Sequence, residues 1–194
     1  SMRHSIIIGF LLAPWFWVMA QEDQIKYERE ERVRVDIIPK SAGDFVEGCG
    51  FTERIKWYYE YSQNGNSYEA KVKQDGIKYS IEFDDQGKLE DVEFIIDWDD
   101  IPQSTKNQIE QYLDSTFQRY RLKKIQQQWT GTPTELQKLI RNESIDNGYS
   151  TQYEIVMRGT SEGDTHWYEI LFSAEGLLLR RSVFVPRNTD NLDF

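Results

Sequence analysis

Apolar and polar residues alternate through the middle of the chain. Tyr79, Ile81 and Phe83 alternate with polar neighbours, and a period of two predicts a strand with one buried face. Gly87 follows where a tight turn needs a positive φ, and a further strand is predicted over residues 89–97. The pattern therefore predicts a β-hairpin.

The same pattern occurs a second time. Residues 79–89 match residues 168–178 in spacing and apolar phase, and residues 68–72 match residues 153–157. Self-similarity of this kind indicates a structural repeat. An alternating stretch at 55–61 adds a strand before the first copy, so each copy predicts a four-stranded antiparallel sheet.

Two segments carry a helical spacing. Apolar residues recur at helical intervals over 109–120, after Pro102, and proline suits the first turn of a helix. A shorter helix is predicted after Pro39, ending near Gly48 or Gly50. The predicted fold class is therefore α+β, with two tandem repeats, each a helix packed on a four-stranded antiparallel sheet.

The second copy is longer and predicts an inserted helix near 132–144. Thr132 and Glu135 have the spacing of a capping box, with Pro133 at the first helical position. The predicted organisation is a charged lead-in with the first strand at 21–38, a first repeat at 39–100, a second repeat at 101–186 and a C-terminal tail at 187–194.

The first twenty residues have the pattern of a signal peptide. Arg3 precedes an apolar run over 6–18, and Val18-Met19-Ala20 resembles a cleavage site. Ser1 ahead of Met2 looks like a cloning scar. We expect a periplasmic or secreted bacterial protein without stable membrane insertion after cleavage, and an uncleaved anchor is the alternative.

These motifs together resemble the PepSY-like family, which is similar to the β-lactamase inhibitory protein. The resemblance is carried by the helix starts Ile38-Pro39 and Ile101-Pro102, the strand starts Tyr68-Glu69 and Tyr153-Glu154, and the repeated hairpin. It implies an exported protein that binds or inhibits another protein through an open sheet face, without a shared catalytic residue. The inserted helix and the charged segment 22–34 depart from the family pattern.

Composition narrows the classes of function. The formal net charge is -10, which disfavours nucleic acid as a partner. Cys49 is the only cysteine and His166 the only histidine after the signal, so most hydrolase and zinc sites are excluded. His166 is interpreted as an ordinary residue at the end of a loop, and no cofactor, metal or enzymatic activity is expected.

Two acidic clusters have a structural and a functional interpretation. The sequence loosely matches a calcium loop at Glu82, Asp84, Gln86, Gly87 and Glu93. The second copy has Ser173 and Ala174 at the ligand positions, which favours a shared turn over a shared metal. The cluster from Asp97 to Asp100 precedes Pro102, where aspartate is typical of a helix cap.

The sheet face without a helix is the predicted binding surface, because a helix covers only one side. In the second copy it combines an apolar centre with a charged rim. The candidate binding residues are Val156, Trp167, Leu171, Glu154, Arg158, Glu169, Tyr58 and Lys71. The alternative is that these residues make contacts between the two repeats.

The sequence thus predicts an exported, non-enzymatic binding protein for a protein or peptide partner, including the role of an inhibitor. The alternative function is a self-associating structural component of the cell envelope. A calcium-binding protein and a hydrolase are less favoured alternatives.

Overall fold

The computed structural model describes residues 24–63 and 65–184. The helices are α1 (Lys40–Gly48), α2 (Gln103–Thr116) and α3 (Pro133–Ile140), with 3-10 turns at Val35–Ile37 and Trp98–Asp100. The strands are β1 (Gln24–Lys26), β2 (Glu28–Val33), β3 (Lys56–Ser62), β4 (Ser67–Gln74), β5 (Ile77–Asp84), β6 (Leu89–Ile95), β7 (Arg119–Gly131), β8 (Tyr149–Ser161), β9 (Asp164–Ser173) and β10 (Leu178–Phe184).

All described strands belong to one sheet. Their order is β1-β10-β9-β8-β7-β6-β5-β4-β3-β2, and each neighbouring pair is antiparallel except the parallel pair β1 and β10. The first and last strands in this order are separated in sequence by Tyr27 alone. The segment Gln24 to Val33 therefore pairs with both edges of the sheet, and the sheet curls so that its edges meet along that segment.

The prediction of two tandem helix-on-four-strand repeats is wrong. Strands β6 and β7 pair in register from Val92 opposite Trp129 to Ile95 opposite Gln126. This pairing joins the two predicted sheets into one ten-stranded mixed sheet. The sheet gains two further strands from the charged lead-in, which satisfies backbone groups that would otherwise form open edges.

One face of the first half of the sheet packs against helices. Strand alternation places Ala70, Val72, Ile81, Phe83 and Val92 on that face, where all are fully buried or nearly so. Helices α1 and α3 add further apolar side chains to this cluster, among them Phe45 of α1 and Leu136 of α3. The predicted short helix after Pro39 is confirmed, with its end at Gly48.

A second cluster forms where α2 packs on strands β7 to β10. Ile109 and Leu113 of α2 are fully buried, as the helical spacing predicts. The helix ends at Thr116, however, so the prediction of helix up to Tyr120 is wrong. Phe117 takes an extended backbone as the C-cap, and Tyr120 already belongs to β7.

The inserted helix α3 is confirmed and is shorter than predicted. Thr132 Oγ1 accepts a hydrogen bond from the backbone N–H of Glu135, and Pro133 occupies the first turn. The helix packs near α1, because Gln137 Nε2 donates to Phe45 O at 2.9 Å. An insertion between β7 and β8 therefore completes the core of the first half of the sheet.

The two repeated hairpins use one turn geometry. Asp84 Oδ1 accepts hydrogen bonds from the backbone N–H groups of Gln86 and Lys88 at 2.9 and 2.8 Å. Ser173 Oγ accepts from the corresponding residues Glu175 and Leu177. The carboxylate at Asp84 thus stabilises the turn, and a serine hydroxyl does the same in the second copy.

The acidic cluster before Pro102 caps a short turn, whereas the sequence predicted a cap for the helix after Pro102. Asp97 and Asp100 form a reciprocal capping box around the 3-10 turn Trp98–Asp100, so the capped element is that turn and not α2 itself. The predicted signal peptide, the C-terminal tail and Asn64 lie outside the described residues. In the described part of the chain, no helix combines the length and apolar content needed to cross a bilayer.

Candidate ligand-binding cavity

The helix-free face of the sheet is polar and concave. Glu69, Lys71, Ser80 and Glu82 alternate along β4 and β5 with the buried apolar residues of the core. Strands β8 and β9 place Glu154 and Glu169 on the same face. Because the sheet curls, these side chains surround a cavity of about 650 Å³, a volume typical of small-molecule sites.

Acidic groups dominate the cavity wall. Eleven carboxyl groups and five basic side chains line it, an excess of six acidic groups. The acidic residues are Glu30, Glu60, Glu69, Glu82, Asp84, Asp85, Glu90, Asp91, Glu93, Glu154 and Glu169, and the basic residues are Lys26, Lys71, Lys78, Lys124 and Arg180. Buried charges are stable only when they are paired or partly neutralised.

On the β2–β4 side, carboxylates are paired by one lysine. Lys71 Nζ lies 2.7 Å from Glu30 Oε1 and 3.0 Å from Glu69 Oε2, and it also lies 4.9 Å from the centre of the Tyr58 ring. Burial alone would lower the pKa of Lys71, but the charges of Glu69 and Glu30 outweigh it and raise that pKa. The ammonium is therefore charged at neutral pH.

At the opposite side, Lys26 connects β1 to β9. Lys26 Nζ lies 3.0 Å from Glu169 Oε1, and Arg180 Nη2 lies 3.5 Å from Glu169 and 3.6 Å from Glu154. Burial opposes ionisation of Glu169, but Lys26 and Arg180 outweigh it and lower its pKa. Glu169 is therefore an ionised wall residue.

Between these paired regions lies a row of carboxyl groups. Glu69, Glu82 and Asp91 occupy directly opposite positions on β4, β5 and β6. Like charges in opposite positions on neighbouring strands repel. Within the described residues, Glu82 has no hydrogen-bond or ion-pair partner. Asp91 Oδ2, in contrast, accepts a hydrogen bond from Gln128 Nε2 at 3.1 Å.

Two glutamines on β7 complete this region. Gln126 Nε2 donates to Glu93 Oε2 at 2.7 Å, and Gln128 Nε2 donates to Glu93 Oε1 at 3.0 Å. Gln126 Oε1 and Asp91 Oδ1 are buried and have no hydrogen-bond partner within the described chain. The reversed amide of Gln126 would place its oxygen against a carboxylate, so this orientation is the favourable one. We refer to Glu82, Asp91, Glu93 and Gln126 as the acceptor cluster.

Burial and mutual repulsion raise the pKa values of the cavity acids. The pKa of Asp91 rises to about 7, through burial first and the charge of Glu154 second. Burial and the charge of Glu169 likewise raise the pKa of Glu154 to about 7, in spite of the opposing charges of Lys26, Lys124 and Arg180. Glu82 and Glu93 are shifted well above the ordinary range for the same reasons. A cation in the cavity would reverse these shifts.

The predicted site residues fall into two groups. Lys71, Glu154 and Glu169 line the cavity, and Tyr58 contacts Lys71. Val156 and Leu171 lie on the same sheet face and are buried, with 4% and 8% of their surface exposed.

Trp167 and Arg158 lie farther along the strands and outside the cavity wall. They are opposite each other in the β8–β9 register. The Trp167 ring is half-buried, with its centre 6.1 Å from that of Phe184, and Arg158 is exposed. Trp167 therefore lies apart from Val156 and Leu171, with which it was predicted to form the apolar centre of the binding surface.

Cys49 and His166 do not belong to the cavity wall. Cys49 is buried in the core, where its Sγ donates to Phe45 O and burial raises its pKa to about 12. His166 is exposed on β9, beside Tyr168. Of the calcium-loop positions, Glu82 and Glu93 face the cavity while Asp84 holds the turn. Among the described residues, no cluster of His, Cys, Asp and Glu has the geometry of a metal site.

Several cavity residues were not predicted. Lys26 and Glu30 come from the charged lead-in, Arg180 from β10, and Gln126 and Gln128 from β7. The run Gln126-Gln127-Gln128 lacks an apolar alternation, so no period of two predicts its strand. The one sequence signal for these residues is the run of three consecutive glutamines, because buried amide side chains need hydrogen-bond partners and therefore indicate a polar site.

Comparison with known proteins identifies structural neighbours. No protein-family model matches the chain, and no curated protein matches it. A crystal structure of a DUF2874 family protein from Bacteroides ovatus aligns with a TM-score of 0.48 and 12% identity, over 76% of this chain and 89% of that one. A second, described as "putative periplasmic proteins" from Bacteroides eggerthii, aligns with a TM-score of 0.48 and 13% identity, over 81% and 99%. Neither description names the PepSY-like family, so that resemblance stays a prediction.

Proposed function

We propose that this chain is an exported, non-enzymatic binding protein whose ligand occupies the cavity on the helix-free face of the sheet. The observation that carries the proposal is the cavity of about 650 Å³ with its buried, incompletely paired polar groups. A fold that needed this space only for stability would fill it with apolar side chains. A polar cavity kept in this state suits a ligand with complementary groups.

The wall of the cavity favours binding over catalysis. Catalysis of acyl or phosphoryl transfer needs a nucleophile with a base, or a metal. The cysteine and histidine of the described chain lie outside the cavity wall. The acidic side chains of the wall are arranged around an open volume. We therefore assign the carboxyl groups to recognition.

The size of the cavity defines the partner. A volume of about 650 Å³ admits a small molecule or a few residues of a peptide, not a folded domain. A protein partner would therefore insert one side chain or a short segment. This interpretation keeps the predicted protein or peptide partner and moves its contact from a flat sheet face into the cavity.

The signal-like segment supports export. It lies outside the described residues, and its pattern of Arg3, an apolar run and a small-residue cleavage site is typical of secretion. We place the protein in the periplasm or outside the cell.

A ligand screen with a blocked variant tests the proposal. The chain is assayed by thermal shift against small molecules and tripeptides of positive, zero and negative charge. Ser80 is buried in the cavity wall, so Ser80→Phe blocks the cavity, while Ser104→Phe places the same side chain on the exposed surface of α2.

We expect at least one class of compound to raise the melting temperature of the wild type and of Ser104→Phe, but not of Ser80→Phe. Circular dichroism confirms that both variants are folded. The proposal fails if no compound stabilises the wild type, or if the blocked variant responds equally.

A further inference from the structure

In its ionised form the acceptor cluster presents unpaired hydrogen-bond acceptors to the cavity. Ionised Glu82, Asp91 and Glu93 can only accept, as can the side-chain oxygen of Gln126. Gln126 is 5% exposed, and its Oε1 has no partner within residues 24–63 and 65–184. A buried acceptor without a donor lowers stability. The group that completes this region must therefore donate hydrogen bonds.

The charge of the cavity wall independently favours a ligand group that is a hydrogen-bond donor, because such a group can also be positively charged. The wall has six more acidic than basic groups, and its ion pairs lie on the two sides away from the cluster. Arg180 lowers the pKa of Asp91 and Lys124 lowers that of Glu93, but burial and the neighbouring acidic charges outweigh them. Lys124 forms no ion pair in the described part of the chain. Within the described residues, no ion pair balances the carboxyl groups of the acceptor cluster.

We propose that the cavity binds an organic cation through a primary ammonium group that contacts Glu82, Asp91, Glu93 and Gln126 Oε1. The inference rests on the proposed function of the cavity as the ligand site. An ammonium group provides three donors and one positive charge, which matches the acceptor cluster. Polyamines and the lysine side chain of a peptide share this chemistry.

An organic cation fits better than a bare metal ion. A metal needs several oxygen ligands converging at 2.0 to 2.6 Å, and no such group of acidic residues occurs within the described residues. A cavity of about 650 Å³ also leaves room for a carbon skeleton next to the ammonium.

Binding should strengthen as pH rises, because the cluster must ionise to hold a cation. Burial raises the pKa values of Asp91 and Glu154 to about 7, and those of Glu82 and Glu93 are also raised. The other titratable and charged groups of the cavity wall are Lys26, Glu30, Glu60, Glu69, Lys71, Lys78, Asp84, Asp85, Glu90, Lys124, Glu154, Glu169 and Arg180, and the charge of Glu90 raises the pKa of Asp91 further.

Calorimetry with defined cations tests this inference on the full chain. The probes are spermidine, trilysine, fully acetylated trilysine and calcium chloride. The cavity variant is Glu82→Gln with Glu93→Gln, which keeps size and removes charge. The matched control is Glu47→Gln with Glu110→Gln, which removes the same charge from exposed positions on α1 and α2.

We expect spermidine or trilysine to bind the wild type and the control equally, and the cavity variant at least tenfold more weakly. Wild-type affinity should rise at least tenfold from pH 5.5 to pH 8. Preference for spermidine or trilysine identifies a polyamine or a peptide as the source of the ammonium group.

Three results would overturn the inference. These are equal affinity in the cavity variant and the control, equal binding of acetylated trilysine, and displacement of the amine by calcium. If neutral or anionic compounds bind in the cavity while the amines do not, the inference fails and the proposed function stands. If no compound binds, both fail.

Discussion

Glu82 and Asp91 lie directly opposite each other on β5 and β6, and both face the cavity. Two carboxylates in this position repel each other unless a proton or a cation reduces their charge. In the unliganded chain the proton has that role, because the pKa values of both groups are raised. The pair therefore lowers stability at neutral pH and favours a cationic ligand.

Asp91→Asn should increase the stability of the unliganded chain at pH 8. A folded pKa of about 7, above the ordinary 3.8, stabilises the fold at low pH, and this contribution is lost as pH rises towards 7. The neutral amide avoids that loss, so we expect a gain on the order of 1 to 3 kcal/mol at pH 8.

The gain should shrink at pH 4.5, where Asp91 is protonated in the fold. Urea unfolding of the wild type and of Asp91→Asn at pH 8 and pH 4.5 measures the change in the free energy of unfolding. The control is Asp44→Asn, at an exposed position. A loss of stability at pH 8 would show that a basic side chain holds Asp91 ionised.

Lys71→Met should destabilise the fold strongly. Lys71 is the shared partner of Glu30 and Glu69, and all three side chains are mostly buried. Removal of one partner leaves buried carboxylates uncompensated, with an expected loss of about 3 kcal/mol in the free energy of unfolding. Lys40→Met, at the exposed ion pair with Asp44, is the control and should leave the urea midpoint unchanged. Equal midpoints in both variants would contradict a structural role for Lys71.

Gly176→Ala should destabilise the second hairpin. Gly176 has a φ of +88°, and a Cβ there would lie 2.7 Å from Thr105 O. We expect a loss of about 1 to 3 kcal/mol, from backbone strain and displacement of α2. Gly43→Ala in α1, with no atom within 4 Å of a new Cβ, is the matched control and should be neutral or stabilising. Thermal unfolding of both variants decides the point.

Light scattering tests self-association, the alternative predicted from sequence. Because the half-buried Trp167 packs beside Phe184 of the same chain, we expect the mass of a monomer over the accessible range of concentration. A mass that rises with concentration, and that falls in a folded Trp167→Glu variant, would instead support a self-associating component of the envelope.

Local sequence patterns predicted the separate elements well. Alternation identified β3 to β6, and the capping residue Thr132 identified α3. The same alternation placed Glu69 and Glu154 on the helix-free face. These features depend on side chains close in sequence, so a single sequence contains the required information.

The closure of the sheet could not be predicted in the same way. The β6–β7 pairing and the β1–β10 pairing join residues far apart in sequence. No local pattern distinguishes two separate sheets from one continuous sheet, because both bury the same apolar face. The cavity exists only through these pairings, and therefore Lys26 and Gln126 were absent from the predicted site.

The pairing of β1 with β10 also determines when folding can finish. Gln24 pairs with Ser182, 158 positions later, so the sheet stays open until nearly the whole described chain is available. Contacts of such long sequence separation make folding slow. Under the proposed export from the N-terminus, the sheet would therefore remain incomplete, and the cavity unformed, until β10 emerged on the far side of the membrane.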